Sequence, residues 1–420
     1  MAAMLPASLG NHCSAILVVL GLAYLLLVRS MRYQRASSIG AAFAHGKRPL
    51  SSMTTDEAYD IMAQLQELEF PYAMNKARRI ALLKAGAIPT MSRLFAATGQ
   101  NTRRNAGRRS VDTEILLREV QSKPRSSERY MQAVARMNFL HARYRKAGKI
   151  LDADLLHTLG SNVVEMYRIV DGGEWRRLTD VERCAIGIFH RHLGEDMGIP
   201  LDALPSGPGG GGGGGGWRDG AHFAAELRDW TVAHEEAVAR PVPTGDQYVR
   251  VYVDSATSAM PRAVTTLVRK ILGSNLDTTM RTSLYLEPPG PVLMLYLEAF
   301  SLVRKLVLRH LCLPRPSFWA VKAVDEQPNP ATGLYNFEHV GFQPWYVKPT
   351  FGAKWRPSAL LVRALGGRAP GTQGERFHPQ GYSLETIGPV PQEGKGLEEM
   401  SATVEFMKGR GSAKCPFAQK

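Results

Sequence analysis

The feature that most constrains this chain is an uncharged run from residue 15 to residue 28, AILVVLGLAYLLLV. As a helix it is about 21 Å long at 1.5 Å per residue, and the uncharged flank from Leu5 to Ser14 brings it to spanning length. A thin bilayer such as that of the endoplasmic reticulum tolerates a short span. A cleaved secretory leader carries basic residues before its apolar run and small residues after it. Here no Lys or Arg precedes the run, and Arg29, Arg32 and Arg35 follow it. The positive-inside rule therefore predicts a single-pass endoplasmic-reticulum protein with a lumenal N-terminus and a cytosolic body. Residues 1–12 are then lumenal, 13–28 the transmembrane anchor and 29–54 a juxtamembrane linker.

The rest of the chain is long enough for a core that can hold a buried cofactor. Its net charge of +14 fits a face lying against anionic lipid headgroups. The one local basic cluster, Arg103, Arg104, Arg108 and Arg109, comes with no nucleic-acid-binding motif, so nucleic acid is not an expected partner. Cys13, Cys184, Cys312 and Cys415 are far apart, which indicates neither a zinc site nor a disulfide framework.

Helical signals begin near Thr55 and recur to about Gly198, then again over 221–240, 261–272 and 292–311. The 292–311 stretch has the length of a span, but Glu298, Arg304, Lys305 and Arg309 interrupt it, so a core or interfacial helix is expected. The fold class is all-α: a helical catalytic domain over 55–365, with a flexible Gly-rich insertion at 205–217. Residues 366–420, rich in Gly and Pro, form a mostly extended or disordered tail.

Two helix faces hold chemistry. In RYMQAVARMNFLHARYRK, Tyr130, Val134, Met137, His141 and Tyr144 fall on one face that is apolar except for His141. An imidazole aimed into a core from a rigid helix suits an axial haem ligand, but a buried histidine donating to a backbone carbonyl is the plainer reading of the spacing. One helical histidine is not a haem signature. In RRSVDTEILLREV, Arg109, Thr113, Leu116 and Val120 share another face. Arg109 there suits a haem propionate or bound dioxygen and Thr113 a hydrogen bond to the distal ligand; a solvated helix-start arginine and a helix hydroxyl are the plainer readings. His157 falls off the apolar stripe of its helix.

His190 and His192 with Glu195 and Asp196 suggest non-haem iron. Residues two apart diverge by about 200° on a helix, so the two histidines cannot share one ion. No nucleophile elbow, phosphate loop, HExxH or dinucleotide fingerprint is present.

The stretch from Ala135 to Pro200, together with 88–120 and HPQGYSLETIGP near the end, resembles the MpaB and rubber-oxygenase family. The resemblance implies a globin-like fold holding haem b, with His141 as the proximal metal ligand and Arg109 and Thr113 as the catalytic pocket pair, Arg109 also binding the cofactor. It implies oxidative cleavage by dioxygen of a carbon–carbon double bond in an isoprenoid chain, a substrate that dissolves in lipid, and leaves room for a prenyltransferase in the same membrane. A Lys found in some members within the Arg-x-x-x-Thr turn is Asp112 here. A non-catalytic haem- or lipid-binding protein of the same fold, and a non-haem iron oxygenase, are the alternatives.

Overall fold

In the computed structural model, which describes residues 7–209, 216–257 and 260–410, the chain is all-α: 66% is helical and no strand forms among the described residues. Two isolated bridges, Val324 with Phe337 and Tyr335 with Tyr382, are the only extended pairings there. In chain order the helices are α1 (Ala7–Arg32), α2 (Gln34–Gly40), α3 (Thr55–Gln64), α4 (Pro71–Lys84), α5 (Pro89–Ala97), α6 (Ala106–Ser122), α7 (Glu128–Lys146), α8 (Asp152–Gly173), α9 (Asp180–Asp196) and α10 (Gly220–Val238). They continue as α11 (Pro243–Thr257), α12 (Arg262–Ser274), α13 (Thr278–Ser283), α14 (Pro291–His310), α15 (Phe351–Trp355), α16 (Pro357–Ala364) and α17 (Leu397–Gly409).

Local chemistry sets several of the starts. Thr54 caps α3 and Thr179 caps α9, each in a reciprocal capping box with the Glu three residues on. Ser127 caps α7 and Asp219 caps α10.

The core is a stack of α3, α4, α8, α9 and α10. α9 and α10 approach so closely that a Cβ on Gly187 would lie 1.7 Å from the Gly220 carbonyl oxygen, and one on Gly220 2.2 Å from that of Cys184. Between α4, α8 and α10 lies a buried polar cluster. The Lys84 ammonium bonds Glu165 at 3.2 Å and Glu235 at 2.6 Å, and His157 Nε2 meets Glu235 at 3.0 Å. His157 is therefore fully buried, contrary to its place off the apolar stripe. Its partner stands on another helix, 78 residues away, where local periodicity carries no information.

α1 exposes Ile16, Leu17, Val18, Val19 and Leu20, and its exposed aliphatic face runs to Leu27. Residues 15–40 are, among those described, the one helical stretch long and apolar enough to cross a membrane unaided. Its lower end is docked. Val28 is buried, the Arg32 guanidinium lies 4.0 Å over the Trp175 ring, and Arg35 pairs with Glu69 at 2.9 Å. The segment 29–54, expected as a linker, is thus mostly helical and fixed to the body.

From residue 366 the chain is irregular as far as α17, but packed. Arg136, fully buried on α7, donates Nε to the Ile387 carbonyl, Nη1 to that of Lys395 and Nη2 to that of Gln392, at 2.8, 2.9 and 2.8 Å. Met400, Val404 and Met407 bury α17 against the same body. An extended or disordered tail was expected here, because an anchoring arginine more than 250 positions upstream leaves no local trace. Residues 411–420 lie outside the described residues, as do 210–215 of the Gly-rich insertion. On either side of that insertion Glu226 accepts from Ser206 Oγ at 2.6 Å and from Trp217 Nε1 at 2.8 Å, so the loop closes on one carboxylate.

Gly187→Ala should destabilise the fold by at least about 3 kcal/mol, since backbone atoms must move to admit the methyl. Thermal melts should show this, whereas deleting three glycines from 210–215 should leave the midpoint within about 2 °C.

Candidate functional site

Residues of α4, α5, α6, α7, α8, α9 and α11 line a cavity of about 550 Å³, bordered on one side by α12 and by residues 339–343 of the segment after α14. That volume lies in the range of small-molecule and cofactor sites. Met91, Leu94, Phe95, Leu116, Leu140 and Leu193 give it a largely apolar wall.

Arg109, Thr113 and His141 all line this cavity, so the two helix faces picked from periodicity meet across one space. Burial, with Arg145 and Arg109 nearby, pushes His141 down to about 4, so its imidazole is neutral at neutral pH. Arg109 stacks over the Phe95 ring at 4.2 Å, and burial lowers its pKa. Among the described residues it has no carboxylate partner, whereas Arg79, the other guanidinium of the lining, reaches Glu114 at 3.5 Å. Arg109 is the cation left for an anionic group of a ligand. The Thr113 hydroxyl donates to the Arg109 carbonyl at 2.9 Å. Its proton is committed within the helix, so toward the cavity Thr113 acts as an acceptor.

Asp112 is turned away from the cavity. It accepts from Tyr346 Oη at 2.8 Å, lies 3.6 Å from Arg108, and burial raises its pKa to about 7. This carboxyl ties α6 to the segment after α14.

Sequence reasoning missed several members of the site. His190 on α9 lines the same cavity and is 1% exposed. Its Nδ1 lies 2.7 Å from the Ile186 carbonyl; a carbonyl only accepts, so Nδ1 carries the proton. Nε2 then keeps its lone pair, buried with no partner among the described residues. Burial lowers this histidine to about 4 as well. His339 also joins the lining, with burial holding it near 4, and α11 contributes Tyr248 and Tyr252. His192 points elsewhere: Nε2 meets Thr55 Oγ1 at 3.0 Å and Nδ1 meets Glu195 at 3.1 Å. No three of His, Cys, Asp and Glu converge as a metal-ligand group among the described residues, so the non-haem iron alternative finds no ligand set here.

A neutral imidazole with a free buried lone pair, a second neutral imidazole and an unpaired guanidinium in an apolar cavity form a donor set suited to haem: nitrogen for iron, a cation for a propionate, apolar walls for the macrocycle. The residues present fit that group.

His190 also carries a pH signature. Its folded pKa is depressed below the ordinary 6.5, so the unfolded chain takes up the proton first as pH falls. The stability it contributes is present above about pH 6.5 and lost toward pH 4, at most about 3 kcal/mol. Urea unfolding should show wild type losing about 2 kcal/mol more than His190→Gln across that window; equal slopes would contradict a buried neutral His190.

No family model matches the chain. It is 33% identical over 408 residues to the ER-bound oxygenase mpaB' of Penicillium brevicompactum, covering 96% of this chain and 94% of that protein. It is 32% identical over 360 residues to the ER-bound oxygenase mpaB of the same organism, covering 85% and 84%. It is 39% identical over 241 residues to the ER-bound oxygenase mpaB of Penicillium roqueforti (strain FM164), covering 57% and 78%. With near-complete coverage on both sides at this identity, the chain belongs to the MpaB family of ER-bound oxygenases.

Proposed function

We propose that this protein is a haem-dependent oxygenase of the endoplasmic-reticulum membrane that uses dioxygen to cleave a carbon–carbon double bond in a prenyl or terpenoid side chain. The observation that carries the reading is the convergence of His141, His190 and Arg109 on one apolar cavity of about 550 Å³. Membership in a family of ER-bound oxygenases supports it, and so does the candidate span in α1.

His141 is the residue assigned to the metal and Arg109 to a propionate. Haem b bound there supplies the iron centre at which dioxygen is activated. The chain's own residues do the rest. The helix α7 places His141 at the cavity, and neutrality at physiological pH keeps its nitrogen available as a ligand. Thr113, its proton held by the Arg109 carbonyl, offers only lone pairs, so it orients a donor without releasing a proton of its own. The apolar walls from α5, α6 and α9 exclude water and hold an isoprenoid chain by burial alone, at about 25 cal/mol per Å². A substrate of that kind partitions into the bilayer, so a body held at the membrane meets it at raised local concentration.

Full-length protein in detergent, reconstituted with hemin, gives the test. His141→Ala should lose haem and the Soret band, whereas His190→Ala should retain them; the reverse would move the ligand to α9. Oxygen uptake with a farnesylated phenol should follow the haem-loaded protein, and haem binding without uptake would point to a non-catalytic member of the fold.

A further inference from the structure

α14 is amphipathic in the inverse sense. At steps of three and four residues, Val292, Leu295, Tyr296, Ala299, Val303 and Leu306 form one stripe, and all of them face outward. Val292 is 72% and Tyr296 74% exposed, and no residue of the helix is buried. Two of its charged groups, Arg304 and Lys305, turn toward the body, while Glu298 and Arg309 stay exposed. Arg304 bonds Glu174 at 2.8 Å with its guanidinium over the Tyr72 ring, and the Lys305 ammonium donates to the Gly172 carbonyl. A helix on a water-facing surface turns its apolar stripe inward and its charges outward. A continuous outward stripe of this length also exceeds the scatter of single exposed apolar residues found on soluble domains.

The neighbour of α14 indicates what covers it. α14 packs beside α1, and the Tyr24 hydroxyl donates to the Leu311 carbonyl at 2.8 Å. Tyr24 belongs to the uncharged run of the candidate span, so the C-terminal end of α14 stands at the level of that run. Beyond it the apolar surface continues in Phe318 and Trp319, 80% and 65% exposed. This segment is tied to the base of the anchor, where Arg35 donates to the Arg315 carbonyl. Exposed aromatics beside basic residues are the composition of a membrane–water boundary. Glu298, Arg304, Lys305 and Arg309 make full insertion of α14 costly, which leaves a helix seated in the interface.

We propose that the outward stripe of α14, continued by Phe318 and Trp319, lies against the acyl chains of the bilayer that α1 enters. The body is then held at two places, by a span and by an interfacial helix, and its orientation on the membrane is fixed. The partner is a lipid surface.

The test uses full-length protein in vesicles of phosphatidylcholine and phosphatidylserine, photolabelled with a carbene reagent dissolved in the acyl phase and mapped by mass spectrometry. Residues of α14 and Phe318-Trp319 should take label within about threefold of Ile16–Leu27. The double variant Val303→Glu, Leu306→Glu should lower α14 labelling about tenfold, with α1 labelling and helical content unchanged. Label confined to α1 would overturn the proposal, and so would a crosslink joining α14 of two copies in place of label, which would assign the stripe to a second copy of the chain.

Discussion

The Arg136 guanidinium, fully buried and donating to three backbone carbonyls of the C-terminal segment, is the contact on which the arrangement of the body depends. It gathers three carbonyls of a largely irregular segment onto one buried side chain and so holds that segment as a packed cover. Five residues further along the same helix stands His141. α7 thus serves two surfaces, holding the cover on one and lining the cavity on the other. Tyr130, at its start, bonds Asp196 at the end of α9 at 2.9 Å, which fixes α7 relative to the helix that carries His190. The cavity owes its shape to these polar tethers as much as to apolar packing.

Two clusters of buried charge that shape the fold are internally paired, while two groups facing the cavity, Arg109 and His190, are left open. Lys84, Glu165, Glu235 and His157 satisfy one another, and so do Arg176, Glu69 and Glu182. Breaking such a buried pair is expensive because the remaining charge has no solvent. Arg109 and His190 Nε2, by contrast, face an apolar space without an anion or a donor among the described residues. Groups of that kind gather at binding sites.

Much of this was legible in the sequence where the signal is local. The apolar run, the start of helix near Thr55, and the faces carrying His141 and Arg109 follow from spacing within a turn or two. What was not legible is relational. His190 looked like half of an unusable pair with His192, and only the packing of α9 shows that it faces the cavity while His192 bonds Thr55. α11 escaped notice because QYVRVYV alternates β-branched and aromatic residues as a strand does; tertiary packing makes it a helix and supplies two tyrosines. For α14 the length and the charges were visible, but which way the charges point depends on Glu174 and Gly172, far away in sequence.

Haem in the cavity is the claim that joins anchor, fold and chemistry, and the pyridine haemochrome of purified full-length protein tests it most directly. The account predicts one haem b per chain, with a Soret band that persists through gel filtration. A protein that stays folded yet holds no haem after reconstitution with hemin would contradict it.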